Sequence, residues 1–396
     1  MNRTLRLTSL ALLCSGHLAA TTVQALELAP QGEELRHADV IRELESREGA
    51  YGATLPESLL SLGLLLQQRG RHKDAMHLFK RGVHLVRINQ GLNSSAQIPL
   101  LRGQIQSHIA AGDYALADER QEYLYRVQTH NFQAGKELTA AYLQHARWQL
   151  DAFVLQLDKR GHVRLMNTSE YYSRARDEVS TREGPTSPNL YEPLIGLLRT
   201  QYLIQGYVID SSELSSSSAP NLSQERYRYA RYRLDTDDVA RDSIARLGRL
   251  KRGTMNPQVR QLAASIMLSD WLLWTGARQE AMAGYRATLE ELSALPAAQT
   301  LVAELELEPT PLPDLGELHG LPETVDEGGE DVVELSFDVT DSGRVINLER
   351  LDSNDALNGK ANRLMRLLRR TPFRPRFEGA QPVPTTNLAR NFRIEK

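Results

Sequence analysis

From about residue 33 to residue 303 the sequence keeps a helical pattern almost throughout, with Leu, Ala, Gln, Arg and Glu dominating and few β-branched runs. A chain with so long a helical stretch must bury many short amphipathic faces against one another, so an internal repeat is the first expectation. In SLLSLGLLLQQRGRHKDAMHLFKRG, large residues (Leu59, Leu62, Leu66, Phe79) interleave with small ones (Gly63, Gly70, Ala75, Gly82). The small residues let two antiparallel helices approach closely, and the large ones fill the space between them. A second run passes through Leu101, Ile105, His108, Gly112, Tyr114, Ala117 and Leu124, and a third through Leu268, Leu272, Gly276, Ala281, Tyr285 and Leu289.

These spacings resemble the tetratricopeptide-repeat (TPR) family, with Leu62, Gly63, Leu66, Gly70, Ala75, Phe79, Gly112, Ala117, Gly276 and Ala281 at signature positions. Gly70 and Gly112 lie 42 positions apart, against about 34 in that family, so each helix is expected to gain a turn. Between residues 136 and 251 four helices are predicted without clear repeat positions, Glu137–Leu157, Ser169–Ser180, Leu190–Tyr207 and Ser223–Leu250, with Ser211–Pro220 as a loop. Read as degenerate repeats, they make residues 26–303 a TPR-like helical-hairpin solenoid, whose concave surface would offer side chains to an extended partner. Tyr114, Tyr123, Tyr125, His130, Tyr142 and Trp148 are candidates for that surface.

The C-terminal stretch changes period. Val333, Leu335, Phe337 and Val339 alternate with Glu334, Ser336 and Asp338, as in a half-buried strand. Asp341-Ser342-Gly343 supplies a turn that returns Arg344–Leu351 as the second arm of a hairpin. Leu357, Ala361, Leu364 and Leu368 then form one helical stripe, with Arg363, Arg366 and Arg370 opposite, until Pro372 and Pro375 stop the helix. Leu388, Phe392 and Ile394 share a parity in a third strand. The fold class is therefore mainly α, followed by a small α+β module of strand-strand-helix-strand order over residues 332–396.

That order, with FDVTDSGRV at the hairpin, FRPRF after the helix and G-x-x-P-V before the last strand, resembles the C-terminal domain of the TonB family. The resemblance implies a small antiparallel sheet with one helix, a Gram-negative periplasm, and β-strand addition of a short segment from an outer-membrane receptor. The family's energy transducers carry a long Pro-rich spacer and usually a Tyr-Pro segment. Here the matching region is Leu321-Pro322-Glu323. Partner-binding residues are expected on the last strand (Thr386, Leu388, Arg390, Phe392) and among Arg363, Arg366, Arg370, Arg374 and Arg376.

Between the two parts, residues 304–331 hold ten acidic residues, no Lys or Arg, and four prolines. This composition predicts a semi-extended, self-repelling linker. The C-terminal module carries 12 basic and 8 acidic residues, so its arginines would meet an acidic partner or be covered by the linker.

The start, MNRTLRLTSLALLCSGHLAATTVQALE, has two arginines, a short apolar run and small residues at Val23 and Ala25. This is the layout of a secretory signal peptide (residues 1–25) cleaved after Ala25, which makes the protein periplasmic. The run is interrupted by Ser9, Ser15, Gly16 and His17 and falls short of the about 20 residues a membrane span needs. Cys14 is the only cysteine, so the mature chain would have no disulfide, thiolate metal site or cysteine nucleophile. The net charge of −3 over the whole chain gives no sign of nucleic-acid binding.

No H-E-x-x-H, G-x-S-x-G, phosphate loop or dinucleotide glycine fingerprint is present. His72, His77 and His84 do not share a helix face, and the adjacent pairs Asp237-Asp238 and Glu290-Glu291 diverge. The sequence thus predicts a non-enzymatic periplasmic binding or scaffold protein with no catalytic, cofactor-binding or metal residues and no small-molecule substrate. Its partners would be proteins of the cell envelope, with an outer-membrane receptor or an inner-membrane motor complex among the candidates. The alternative keeps the N-terminal segment as an inner-membrane anchor and makes the chain a TonB-type energy transducer.

Overall fold

A computed structural model of the chain describes residues 20–209, 222–251, 253–254, 256–315, 318 and 320–394. Most of the expected signal peptide, including Cys14 and His17, and the expected loop Ser211–Pro220 lie outside the described residues. The protein is mainly helical with a small sheet region near its C-terminal end. It divides into two compact units, one up to Asn131 and one from Phe132. No described helix is long and apolar enough to cross a membrane.

The first unit holds α1 (Ala20–Glu48), α2 (Leu55–Gln68), α3 (His72–Gln90), α4 (Ile98–Ala110) and α5 (Tyr114–Asn131), each packed on the next. Phe79 of α3 is fully buried, and its ring lies between two glycines. A Cβ at Gly63 of α2 would stand 2.4 Å from the ring, and one at Gly103 of α4 2.6 Å from it. One aromatic side chain thus fixes the approach of three helices. Leu62, Leu66, Ala75 and Ala117 are buried alongside. Gly70 and Gly112 sit at the α2–α3 and α4–α5 turns with φ of 73° and 77°. The 42 residues from Gly70 to Gly112 are not shared equally among the helices. α3 and α5 have 19 and 18 residues while α2 and α4 have 14 and 13, and a 3-10 turn at Ser95–Gln97 takes up the rest.

The second unit continues with α6 (Lys136–Val154), α7 (Gly161–Glu183), α8 (Tyr191–Gly206), α9 (Leu222–Arg249), α10 (Pro257–Thr275), α11 (Arg278–Ser293) and α12 (Gln299–Leu307). Successive helices again pack together. α7 begins eight residues before its expected start, because Leu165 and Met166 bury against Ile204 and Tyr229 and hold that extra length in the helix. Gly276 ends α10 in the left-handed conformation, and Ala281, Tyr285 and Leu289 of α11 are fully buried.

The sheet region contains β1 (Thr310–Pro311), β2 (Thr324–Val325), β3 (Val332–Val339), β4 (Val345–Arg350), α13 (Asn358–Arg370), β5 (Phe373–Arg374), β6 (Arg376–Glu378), β7 (Gln381–Val383) and β8 (Thr385–Arg393). Its main sheet has the antiparallel order β2-β8-β3-β4. Val333, Leu335, Phe337 and Val339 share a core with Ala361, Leu364 and Leu368 of α13 and with Leu357 in the 3-10 turn just before it, and Phe392 of β8 and the following Ile394 complete this core. Asp338 holds the two irregular points of the sheet. One oxygen accepts from the Asn387 backbone N–H at 2.8 Å and the other from Asn347 Nδ2 at 2.6 Å, and both asparagines have positive φ.

The acidic stretch 304–331 departs from the expected linker. Its first four residues finish α12, Thr310–Pro311 pairs with β5, and Thr324–Val325 pairs with β8. Leu305 and Leu312 enter the same core as Tyr285, Leu289 and Phe377, while Leu321 enters the sheet core. Apolar residues every few positions anchor the segment, and three of its carboxylates, Glu308, Asp314 and Glu323, pair with arginines brought from elsewhere. The sheet region is therefore packed on α10–α12, with no free spacer between them.

Candidate functional site

The two sides of β8 are unequal. Toward β3 it is paired from Leu388 to Arg393 and again at Thr385, with an irregularity at Thr386 and Asn387. On the other side only Asn391 and Phe392 have strand partners, in β2, with the Arg393 N–H donating to Glu323 O at 2.9 Å. Residues 385–390 have no strand on that side among the described residues. The Ile394 N–H donates to Asp331 O on the β3 side, so strand alternation turns the even-numbered backbone groups of residues 388–394 toward β3 and the odd-numbered ones toward the β2 side. There Asn391 is paired with Val325, and Ala389 has no strand partner, its O accepting from Arg390 Nη1 at 3.0 Å.

A groove of about 600 Å³ adjoins this edge, with Leu307, Pro309, Pro322, Phe337, Leu388 and Phe392 among its walls. At its rim Arg390 pairs with Glu308, and Arg393 pairs with Glu323 at 2.9 Å. An unpaired strand edge beside apolar walls offers main-chain hydrogen bonds and side-chain pockets together, the two components of strand addition.

The expected partner residues divide. Thr386 is exposed on the open stretch, and Leu388 is half-buried in the groove wall. Phe392 is only 3% exposed and belongs to the sheet core, so it shapes the groove from below and cannot reach out to a partner. Arg363, Arg366 and Arg370 are exposed on the outer face of α13. Among the described residues none of the acidic stretch pairs with them; Asp314, Glu308 and Glu323 pair instead with Arg374, Arg390 and Arg393. Arg376 pairs with Glu378 at 2.8 Å.

Arg374 is a correction to the expected binding surface. It is buried and donates to Asp270 Oδ2 of α10 at 2.8 Å and to Asp314 Oδ2 at 2.6 Å. Asp270 Oδ1 accepts in turn from the Tyr285 hydroxyl of α11 at 2.6 Å. Burial pushes the Asp270 carboxyl up, against the pull of Arg374 and Tyr285. Burial also opposes the Arg374 charge, but the two aspartates hold that guanidinium above its ordinary range. This group pins the sheet region to α10 and α11. It forms the polar end of a second cavity, of about 850 Å³, walled by Ile195, Leu247, Met267 and Leu301. Nothing in the sequence pairs residues 104 positions apart, and only the contrast of a lone Asp270 within an apolar run, SIMLSDWLLW, marks it as unusual.

Of the aromatic candidates for a concave surface, Trp148 is buried. The Tyr123 hydroxyl donates to Gln97 Oε1 at 2.7 Å, with Arg87 over its ring at 4.6 Å. Both are packing residues. Among the described residues no three of His, Cys, Asp and Glu converge as a metal site would require. The chain matches no protein-family model and no curated protein.

Proposed function

We propose that the chain is a non-enzymatic binding protein of a Gram-negative periplasm, built from a TPR-like helical solenoid and a TonB-like C-terminal module. Its partner is an extended segment of another envelope protein, captured by strand addition at β8. The observation that carries this reading is the unpaired edge of β8 over residues 385–390 beside an apolar groove. Capture here needs no chemistry from the protein, and the signal-peptide layout of residues 1–25 agrees with an exported chain.

The test exploits the alternation of β8. Proline at Ala389 removes an N–H directed to the open side, whereas proline at Leu388 removes one directed to β3 and damages the sheet itself. A photo-crosslinking residue at Thr386 in living cells should form adducts with an envelope protein, and Ala389→Pro should abolish them while near-UV circular dichroism stays unchanged. Undiminished adducts in a folded Ala389→Pro protein would rule out strand addition. Intact-mass analysis of the native protein checks the compartment: a soluble periplasmic species beginning at Leu26 is expected, and a full-length inner-membrane species would overturn it.

A further inference from the structure

A cleft of about 350 Å³ in the second unit is lined by Arg278, Arg344, Arg369 and Arg370, with no carboxylate in its lining. These four residues come from separate places, and the fold brings them together. Gly343, with φ of 74°, closes the β3–β4 turn so tightly that its O accepts from the Phe373 N–H at 2.9 Å, and a Cβ there would stand 1.9 Å from Phe373 O. The turn therefore rests against Leu273 of α10 and carries Arg344 to the start of α11, where Arg278 lies. Arg369 and Arg370 arrive on the last turn of α13.

None of the four guanidiniums has a carboxylate partner among the described residues, and Arg278 Nε is buried without any hydrogen-bond partner. The two arginines of this unit that are buried as whole residues are matched, Arg374 by two aspartates and Arg164 by Asp158 at 2.7 Å. Arg199 Nε is, like Arg278 Nε, buried without a partner, but Arg199 does not line this cleft. Burial and then the charge of Arg344 lower the Arg278 value, so the two cations repel each other across the cleft. The C-terminal ends of α8, α10 and α13 all reach this cleft, through Gln205, Thr275 and Arg370. Each helix end offsets at most about half a unit charge, so roughly two or more positive charges are left to solvent or to a bound anion, Arg278 being half-buried and Arg344, Arg369 and Arg370 exposed. A single chloride does not neutralise such a site, and a carboxylate offers only one charge to two or more forks. A phosphate group supplies several acceptor oxygens and up to about two charges, the match that bidentate arginines favour.

We infer that this arginine cleft binds a phosphate-bearing ligand, of pyrophosphate or phospho-sugar size, independently of the strand edge of β8. Trp274 and Pro372 give one side of the cleft an apolar wall for the body that carries the phosphate. The phosphate belongs to a soluble molecule or to a lipid headgroup, and the experiment separates the two.

Purified protein is titrated with inorganic pyrophosphate and inorganic phosphate by calorimetry at constant ionic strength, and sedimented with phosphatidylcholine vesicles with or without phosphatidylglycerol. Saturable single-site binding is expected, and Arg344→Gln should weaken it by about ten-fold or more, the loss of one charge-assisted hydrogen-bond pair. Arg363→Gln changes the net charge equally but lies outside the cleft and should stay within about two-fold. Uptake of pyrophosphate without vesicle recruitment assigns a soluble ligand, and recruitment to phosphatidylglycerol vesicles that Arg344→Gln removes assigns a headgroup. Absence of both kinds of binding, or equal losses in the two variants, overturns the inference. Folding supplies an independent readout. Without anion, Arg344→Gln should melt at the same temperature as the parent or higher, because it relieves repulsion, and a lower melting temperature would make Arg344 structural and overturn the site.

Discussion

Replacing Arg374 by methionine tests how the sheet region is held to the helices. The side chains of Arg374 and Asp270 are 11% and 6% exposed, so the substitution keeps most of the packing volume and leaves the Asp270 carboxylate buried with only the Tyr285 hydroxyl. Breaking a buried ion pair from one side costs about 3–5 kcal/mol. With a urea slope of about 3 kcal/mol/M this lowers the unfolding midpoint by roughly 1 M or more. All three tryptophans, Trp148, Trp271 and Trp274, lie in the second unit, so their fluorescence reports the unit that carries the change. The deficit must also depend on pH. Asp270 titrates above the ordinary aspartate value in the folded protein, so the folded state holds its proton more tightly and stability falls as pH rises from that ordinary value through the folded one. Without Arg374 the carboxyl rises further, and the deficit should be larger at about pH 8 than at about pH 5. Adding Asp270→Asn should recover part of the loss by removing the unpaired charge. A midpoint within about 0.2 M of the parent, a deficit that is flat with pH, or no recovery in the double variant would refute the argument.

Three further outcomes follow from close contacts and shifted carboxylates. Gly63→Ala and Gly103→Ala each drive a methyl into the Phe79 ring and should cost about 1–3 kcal/mol, read as lost hydrogen-exchange protection over residues 55–110; full protection would refute that packing. Gly343→Ala meets a backbone oxygen, which cannot rotate aside, as well as the about 1–2 kcal/mol of a left-handed alanine, so the Phe373 amide should exchange much faster than in the parent. Asp352 accepts from Arg350 and from the Glu334 and Asn354 N–H groups, which hold its carboxyl down to about 2. Its contribution is complete above the ordinary aspartate value and is lost as pH falls through about 2, so Asp352→Asn should flatten the acid limb of the unfolding curve below about pH 4, and an unaltered limb would show the carboxylate to be idle.

What was legible in the sequence was set by neighbours a few residues apart. The alternation of Val333 to Val339 and the stripe of Leu357, Ala361, Leu364 and Leu368 both appear as one buried core, because a strand or helix period depends only on the chain's own geometry. The small-large pattern around Gly63 and Phe79 was legible for the same reason. The acidic segment misled because composition registers carboxylates and prolines, while its placement is decided by Leu305, Leu312 and Leu321 and by arginines far along the chain.

The arginines of the C-terminal region make the sharper case. Arg370 and Arg374 are four positions apart, of one residue type, and separated by a single proline, yet one lines an unbalanced cleft and the other is buried between two aspartates. Pro372 ends the helical period, so the chain leaves α13 extended and passes between the sheet and α10–α11, where Phe373 joins the sheet core and Phe377 packs 5.3 Å from Tyr285. Arg374 is carried to Asp270 by that path. Arg370, one turn earlier, remains on the helix and is carried to Arg278 and Arg344. Charge sign was visible in the sequence, but partnership is a property of the path between elements. The path that neutralises one arginine leaves Arg370 with Arg278, Arg344 and Arg369 on one cleft that has no carboxylate in its lining, and for that reason this cleft is the place to look for a ligand.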